Sequence, residues 1–386
     1  MTLVGLAVVL AVGLVGPLLA TPARLRLPVV VGEMVLGVVV GRTGFGWVHP
    51  DDQVLSFLAT VGFALVMLVA GSHVPVRNAT LRSQLGRGLL LAARVGVLAV
   101  PIGLLISGVA GTGHGLLYAV LLASSSAALV MPVIDGAALT GSRVTATVVQ
   151  VAAADTVCIV ALPLAENPSK ALGAAAGALA VIAAGAVVAG VMTVIARTGT
   201  LRRLQQLSKR RHFGLELRWN LIILFSLAGL AQAVGVSVML AGFVSGIVLA
   251  SLGEPRRLAK QLFSVSDGFL APVFFVWLGA SLDLRAIGGH PKMLLVAGLL
   301  ALGTAGVHAA VVLAGQPLPL ALLAGAQLGV PVAAVTIGTN TGRLAPGEGG
   351  AILAAALVSI AVTSVASAFA ARPPRGPGPA SPASEG

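Results

Sequence analysis

Thirteen apolar runs follow one another along this chain, at about 2–20, 28–47, 54–71, 85–108, 114–134, 143–163, 170–196, 217–232, 236–252, 262–281, 292–313, 317–341 and 349–371. A hydrocarbon layer ~30 Å thick takes roughly 20 residues of helix to cross. In lipid every backbone N–H and C=O must be satisfied internally, which leaves only helices and closed barrels as spanning structures. Barrel strands need only about 9–11 residues, far fewer than these runs offer. The chain is therefore expected to be an all-α polytopic membrane protein of about 13 transmembrane helices. Its composition agrees, with 57% hydrophobic and 9% charged residues, more apolar surface than a soluble domain could hide. The 49 glycines and 21 prolines suit a membrane bundle, where small residues let helices approach and prolines interrupt them where a site is built.

The loops test that count. With connections assigned alternately to two sides, 18 Lys and Arg fall on one side and 5 on the other, with Arg94 inside a span. The positive-inside rule then puts the N-terminus outside the cell and the C-terminus in the cytoplasm. The same asymmetry accounts for the net charge of +12 without nucleic acid, since aromatics are only 4% and the basic residues lie between spans. The first run is followed by Thr21-Pro22-Ala23, as a signal peptide might be, yet nothing basic precedes it while Arg24 and Arg26 follow. A cleaved signal has the opposite arrangement, so a retained helix is expected. The lone Cys158 excludes an intramolecular disulfide or a multi-cysteine metal site and reads as a small packing residue. The basic loop LRRLQQLSKRRH (201–212) either fixes topology or meets anionic head groups. The Pro/Gly/Ser-rich stretch 372–386 is expected to be a disordered cytoplasmic tail behind a membrane domain of residues 1–371, with no soluble domain following.

Within the run GSRVTATVVQVAAADTVCIVALP (141–163) lies one carboxylate, Asp155, twelve residues after Arg143. That is roughly 18 Å of helix, which places the acid near the middle of the bilayer. An ionised group there costs on the order of 2.5–3.5 kcal/mol even on lenient insertion scales, so it ordinarily faces a wet cavity and has a task. The competing reading is a carboxyl that stays protonated and only hydrogen-bonds a neighbouring helix.

The two halves of the chain look alike. GEMVLGVVVG (32–41) resembles AGFVSGIVLA (241–250), with small-residue pairs Gly37/Gly41 and Gly246/Ala250, and VGFALVMLVAGSHV (61–74) resembles PVFFVWLGASLDL (272–284). SSSAALVMP (124–132) lies about 205 residues before GVPVAAVTIG (329–338), each a small or polar patch with a proline where a membrane helix would unwind. Five spans from 28 to 163 and five from 236 to 371 make two repeats with an odd span count, so the second is inverted. Two inverted five-helix repeats, each with an interrupted helix, are the sequence signature of an alternating-access secondary transporter.

LPVVVGEMVLGVVVGRTGFG (27–46), GFALVMLVAGSHV (62–74), SSSAALV (124–130), VMLAGFVSGIVLAS (238–251) and APVFFVWLGASLDL (271–284), in this order and spacing, resemble the monovalent cation:proton antiporter superfamily, the bacterial Na⁺/H⁺ and K⁺/H⁺ exchangers. The resemblance covers the chain to about residue 371. It implies a homodimer in the cell membrane, with a mobile core that holds two crossed broken helices and is built from spans 85–163 and 292–371, against a static scaffold built from 1–71 and 170–281. It also implies that Asp155 is the ion-binding acid, the second member of a pair that here reads Ala154-Asp155 where relatives often place Asp, Asn or Gln first. Many relatives carry Lys or Arg in the span at 292–313, where this chain offers His308. Glu33 matches an acidic or tyrosine position of the opening motif. The cytosolic nucleotide-binding domain of many potassium-linked relatives is not expected.

Ser124, Ser125, Ser126 and Thr336 fall in the proposed breaks, where hydroxyls and freed carbonyls suit a hard monovalent cation, although serines also pack helices. His308 reads either as a coupling group or as a packing residue. Arg94 either pairs with Asp155 or snorkels to the cytoplasmic surface, and Glu33, a turn or two inside that face, reads as a structural hydrogen-bonding group or, alternatively, as an ion-coupling one. The function expected is exchange of Na⁺ or K⁺ for protons by alternating access with Asp155 as the shared site, needing no cofactor. A sodium-coupled organic-solute symporter on a similar scaffold is the alternative, though no polar cluster for a solute is evident. A membrane enzyme would want paired acids at an interface, and the one adjacent pair, Asp51-Asp52, reads as a solvated loop.

Overall fold

The computed structural model describes residues 1–20, 29–72, 83–166, 171–198, 215–252, 256–282, 285 and 289–370. The basic loop at 201–212 and the tail at 372–386 lie outside them. Among the described residues the regular structure is helical throughout. The helices are α1 (Leu3–Ala20), α2 (Val29–Val40), α3 (Gln53–Ser72), α4 (Leu85–Ala110), α5 (Gly115–Ala123), α6 (Ala127–Gly136), α7 (Ser142–Glu166), α8 (Ala171–Arg197), α9 (Leu215–Ala233), α10 (Val238–Leu252), α11 (Arg256–Val265), α12 (Ala271–Ser281), α13 (Pro291–Ala309), α14 (Leu318–Leu323), α15 (Gly329–Asn340) and α16 (Glu348–Ala370). A π turn at Ser266–Leu270 joins α11 to α12, and a 3₁₀ turn at Ala310–Ala314 extends α13. Seven helical stretches are long and apolar enough to cross a membrane. Each of the thirteen apolar runs carries a helix, and two of them, at 114–134 and 317–341, carry a pair of short helices with a gap between.

The helices pack in two groups. In one, α2 lies along α12 and α3 along α10, with α1, α8, α9 and α11 around them. Small residues bring these backbones into contact. A Cβ on Gly37 would sit 2.4 Å from the Val276 carbonyl oxygen, and one on Gly279 would sit 2.1 Å from that of Met34. The α3–α10 crossing is built alike, since a Cβ on Gly71 would meet the Phe243 oxygen at 2.2 Å and one on Gly246 the Leu68 oxygen at 2.1 Å. The segments that resemble each other in sequence thus pack reciprocally: the first helix of each repeat lies on the second helix of the other. Such contacts replace the hydrophobic driving force that is absent between helices in lipid. Phe63 stacks on Phe274 at 4.9 Å, and Trp277 donates to the Pro50 carbonyl at 2.9 Å. The second group contains α4, α5, α7, α13, α14 and α16, with α6 and α15 at its centre, and α8 also touches α7.

Candidate functional site

The first interrupted helix stops at Ala123. Ser124 turns extended (φ −70°, ψ 151°), and both its N–H and its hydroxyl donate back to the Leu121 carbonyl, at 3.1 and 2.9 Å. Three consecutive serines favour this, because their hydroxyls compete with the helix for backbone partners. The helix restarts at α6, where the Ser126 carbonyl accepts the N–H of Val130 at 3.0 Å. The N–H of Ala127, the first residue of α6, has no turn behind it and donates instead to Asp155 Oδ2 at 3.0 Å. A half-helix N-terminus is a favourable place for negative charge. Asp155, brought there by α7, is 4% exposed, and no cationic side chain among the described residues pairs with it. Ala154 beside it is buried and adds no polar group.

The second interruption runs from Ala324 to Leu328, between α14 and α15. It meets the first directly. Ser125 donates its hydroxyl to the Ala324 carbonyl at 2.6 Å, and Gln327 returns the contact, its side-chain nitrogen donating to the Leu121 carbonyl at 2.6 Å and to Thr304 Oγ1 at 3.2 Å. The backbone N–H of Gln327 donates to Ser359 Oγ on α16 at 3.2 Å. Ser125 and Gln327 stand 202 positions apart in the sequence, so each break caps the carbonyl end of the other's first half-helix.

Of the residues singled out in the sequence, Ser124, Ser125, Ser126 and Asp155 come together at this crossing. Thr336 does not lie in the break; it is inside α15, with its hydroxyl on the Val332 carbonyl at 2.8 Å. The proline patch misled there: Pro331 falls in the first turn of α15, where proline is tolerated, and Pro132 falls inside α6, past the serines. His308 is fully buried on α13. Its ring packs on Gly325 in the second break and faces the carbonyls of Leu122 and Ser124, and among the described residues neither ring nitrogen completes a hydrogen bond. Arg94 is exposed on α4 and forms no pair with Asp155. Glu33 is buried in α2, packed on Gly16 of α1 in the other group of helices. Cys158 is buried and free. The Asp51-Asp52 pair is occupied structurally: Asp51 pairs with Arg42, and Asp52 accepts the N–H groups of Val54 and Leu55 at the start of α3, both at 3.0 Å. Hydrogen bonding to the Met1 ammonium, and then to Leu55 N–H, holds the Asp52 carboxyl below its ordinary pKa.

Gln327 and Glu348 carry structure that the sequence reading passed over. Glu348 opens α16 with its carboxyl fully buried, accepting from Tyr118 Oη at 2.6 Å and from Ala345 N–H at 2.8 Å, and paired with His114 Nδ1 at 2.7 Å. At the opposite end of the group, Gln316 donates to Thr147 Oγ1 at 2.5 Å and to the Arg143 carbonyl at 3.0 Å. His114 and Gln316 are again 202 positions apart. A cavity of about 530 Å³ opens between the two groups of helices, lined by Arg42, Asp51 and Trp277 on one side and by Thr336, Thr339 and Gly350 on the other.

Two solved structures of the sodium proton antiporter MjNhaP1 from Methanocaldococcus jannaschii share this fold. One matches with a TM-score of 0.64 at 19% identity over 96% of this chain and 98% of that one, the other with a TM-score of 0.60 at 18% identity over 95% of each. Among curated proteins, the chain is 24% identical to the Na⁺/H⁺-K⁺ antiporter GerN of Bacillus cereus over 69% of its own length and 68% of that protein's. It is 29% identical to the glutathione-regulated potassium-efflux system protein KefC of Salmonella typhimurium over 72% of this chain, and 25% identical to YjbQ of Bacillus subtilis over 77% of it. It spans about half the length of these last two, 46% and 50%. The family model for the transmembrane sodium/hydrogen exchangers matches residues 8–372, nearly the whole helical region, and the chain belongs to that family.

Proposed function

We propose that this chain is a secondary antiporter that exchanges a monovalent cation, Na⁺ or K⁺, for protons by alternating access. The observation that carries the reading is the buried Asp155 carboxyl, held by the first N–H of a half-helix and left without a cationic partner among the described residues. Such a carboxylate is neutralised equally by a proton or by one monovalent cation. The helices that carry it cross the membrane only with that charge neutralised, so the empty site does not return and the two fluxes are coupled. Oxygens of Ser124, Ser125 and Ser126 supply further ligands, and Thr336 serves the approach through the cavity rather than the site itself. Apart from the transported ions no cofactor is needed.

The core that moves comprises the helices within 85–163 and 292–371. Those within 1–71 and 170–281 form the scaffold through which two copies dimerise. The chain resides in the cell membrane with its N-terminus outside and its C-terminus in the cytoplasm, as the 18-to-5 distribution of basic residues supports. GerN and KefC, described as a cation antiporter and a potassium-efflux protein, favour cation exchange over an organic-solute symporter and over enzymatic chemistry. The test is proton movement in proteoliposomes on addition of Na⁺, K⁺, Li⁺ or an organic solute in turn; silence toward every cation refutes the antiporter. For orientation, in a Cys158→Ala background, a cysteine at position 285 is expected to react with an impermeant reagent on intact cells and one at 205 to stay unlabelled. The reverse pattern overturns the topology.

A further inference from the structure

Gln327 is a neutral side chain at the most crowded point of the molecule, 4% exposed in the second break. Its amide nitrogen carries two hydrogens and faces three acceptors: the Leu121 carbonyl at 2.6 Å, Thr304 Oγ1 at 3.2 Å and the Ser124 carbonyl at 3.4 Å. With two hydrogens for three acceptors, at least one contact is shared or long. Leu121 and Thr304 are the nearer pair, so the Ser124 carbonyl is the one held most weakly. Leu121 O also takes the N–H and the hydroxyl of Ser124, which makes this carbonyl the point from which the bend of the first break is hung. Three residues after Ser124 comes Ala127, whose N–H holds Asp155. The Gln327 amide therefore fixes, from the opposite repeat, the short segment that joins a spare carbonyl to the Asp155 anchor.

We propose that Gln327 is a positioning residue for cation selectivity: by pinning the Leu121–Ser124 bend it sets the spacing between the carbonyls of the break and the Asp155 carboxylate, and so which size of monovalent cation the site accepts. The proposal rests on the antiporter reading and deepens it. Discrimination between hard cations of one charge comes from ligand number, spacing and rigidity, and a buried amide with its own backbone N–H tied to Ser359 supplies rigidity without adding charge. Thr304 takes part by orienting the amide, one helical turn from His308 on the same helix.

The test compares Gln327→Met, which keeps length and volume and removes both donated hydrogens, with Thr304→Val, which keeps shape and removes one acceptor. Apparent KM and kcat are measured separately for Na⁺, K⁺ and Li⁺ in proteoliposomes. In parallel, the thermal shift produced by each cation is measured on detergent-solubilised protein, a readout that needs no transport. In Gln327→Met the spread of KM between the best and worst cation is expected to narrow by about tenfold while kcat for the best cation stays within about threefold. Thr304→Val is expected to narrow the spread by about threefold. The thermal shifts should converge in the same order. An unchanged cation ranking and spread in either variant overturns the proposal, as does a parallel loss of rate for every cation, which marks a structural role only. If Gln327→Met does not accumulate, Thr304→Val decides alone. Absence of cation-driven proton movement in the unmodified protein refutes the antiporter itself and is read before either variant.

Discussion

The two broken helices follow one plan and differ in what closes it. At the first, the N–H that restarts the helix is received by a carboxylate, Ala127 to Asp155; at the second, an N–H within the break is received by a hydroxyl, Gln327 to Ser359. Both acceptors sit on the helix that follows the interrupted one in its repeat, and both are buried. The second break shows that a neutral oxygen is enough to satisfy such an N–H in this fold. The charge at Asp155 therefore exceeds what the backbone requires, at a cost on the order of 2.5–3.5 kcal/mol in the membrane. The acid at the first break is the group on which the proposed exchange rests.

The most damaging way to test that difference is to make the first break resemble the second. Asp155→Asn keeps an oxygen in place for the Ala127 N–H while removing the charge, and Asp155→Ser copies the shorter hydroxyl of the second break. Both are expected to insert and fold at close to normal yield and to lose cation-driven proton movement by at least about 100-fold, roughly 2.7 kcal/mol at the rate-limiting step. Retained exchange in either variant would move the ion site elsewhere and leave Asp155 a structural acceptor like Ser359.

The contacts at the two ends of the core offer a second, gentler comparison. At one end the start of α5 is tied to the start of α16 through His114, Tyr118 and the buried Glu348; at the other the start of α14 is tied to the start of α7 through Gln316 and Thr147. One is built on a carboxyl with three partners, the other on an amide with two. Hydrogen bonds to charged groups contribute about 1.5–3 kcal/mol and neutral ones about 0.5–1.5. Glu348→Ala is thus expected to destabilise the protein by about 2–4 kcal/mol, and Gln316→Ala by about 1–2. Thermal midpoints in one detergent check the order, and a larger drop for Gln316→Ala would reverse it. Smaller still is Ser125→Ala, which removes the single bond to Ala324 and is expected to cost about 0.5–1.5 kcal/mol in the same measurement.

How much of this was legible beforehand depends on whether a feature is local. The apolar runs, the Gly37/Gly41 and Gly246 contacts, the serine break and Asp155 all announce themselves within a few residues, because helix periodicity and insertion cost act over that range. The sequence points to a second break at GVPVAAVTIG (329–338), and the break lies upstream at AGAQL (324–328), since a proline in a first helical turn breaks nothing. Gln327 reads in sequence as one amide among small residues. Its partners Leu121, Thr304 and Ser359 are 206, 23 and 32 positions away, and no local pattern records them. Glu348 stands just before the run at 349–371 and shows no local signal either, since its partners His114 and Tyr118 lie more than 200 residues upstream. Arg94 was ambiguous because a long side chain on an apolar helix reaches either way, and only packing decides.

The smallest expected effect, none at all, concerns charge. If only one of the two crossing acceptors is ionisable, one carboxylate takes up one proton or one monovalent cation, and exchange is one for one and electroneutral. Arg94 is removed as a second charge by its exposed position on α4. His308 is not, since it is buried against Gly325 with both ring nitrogens unpaired among the described residues, facing the Leu122 and Ser124 carbonyls. Histidine is also the side chain whose unperturbed charge changes between pH 5 and 8. A His308 that protonated once per cycle would add a charge to one leg of the exchange and make it respond to membrane potential. Imposing a potential across proteoliposomes at fixed ion gradients reads this directly. The cation gradient at which proton flow stops is expected to stay the same at every voltage, in the unmodified protein and in His308→Ala alike. A reversal point that shifts with voltage and stops shifting in His308→Ala would make the second repeat a partner in charge movement, despite the hydroxyl at its break.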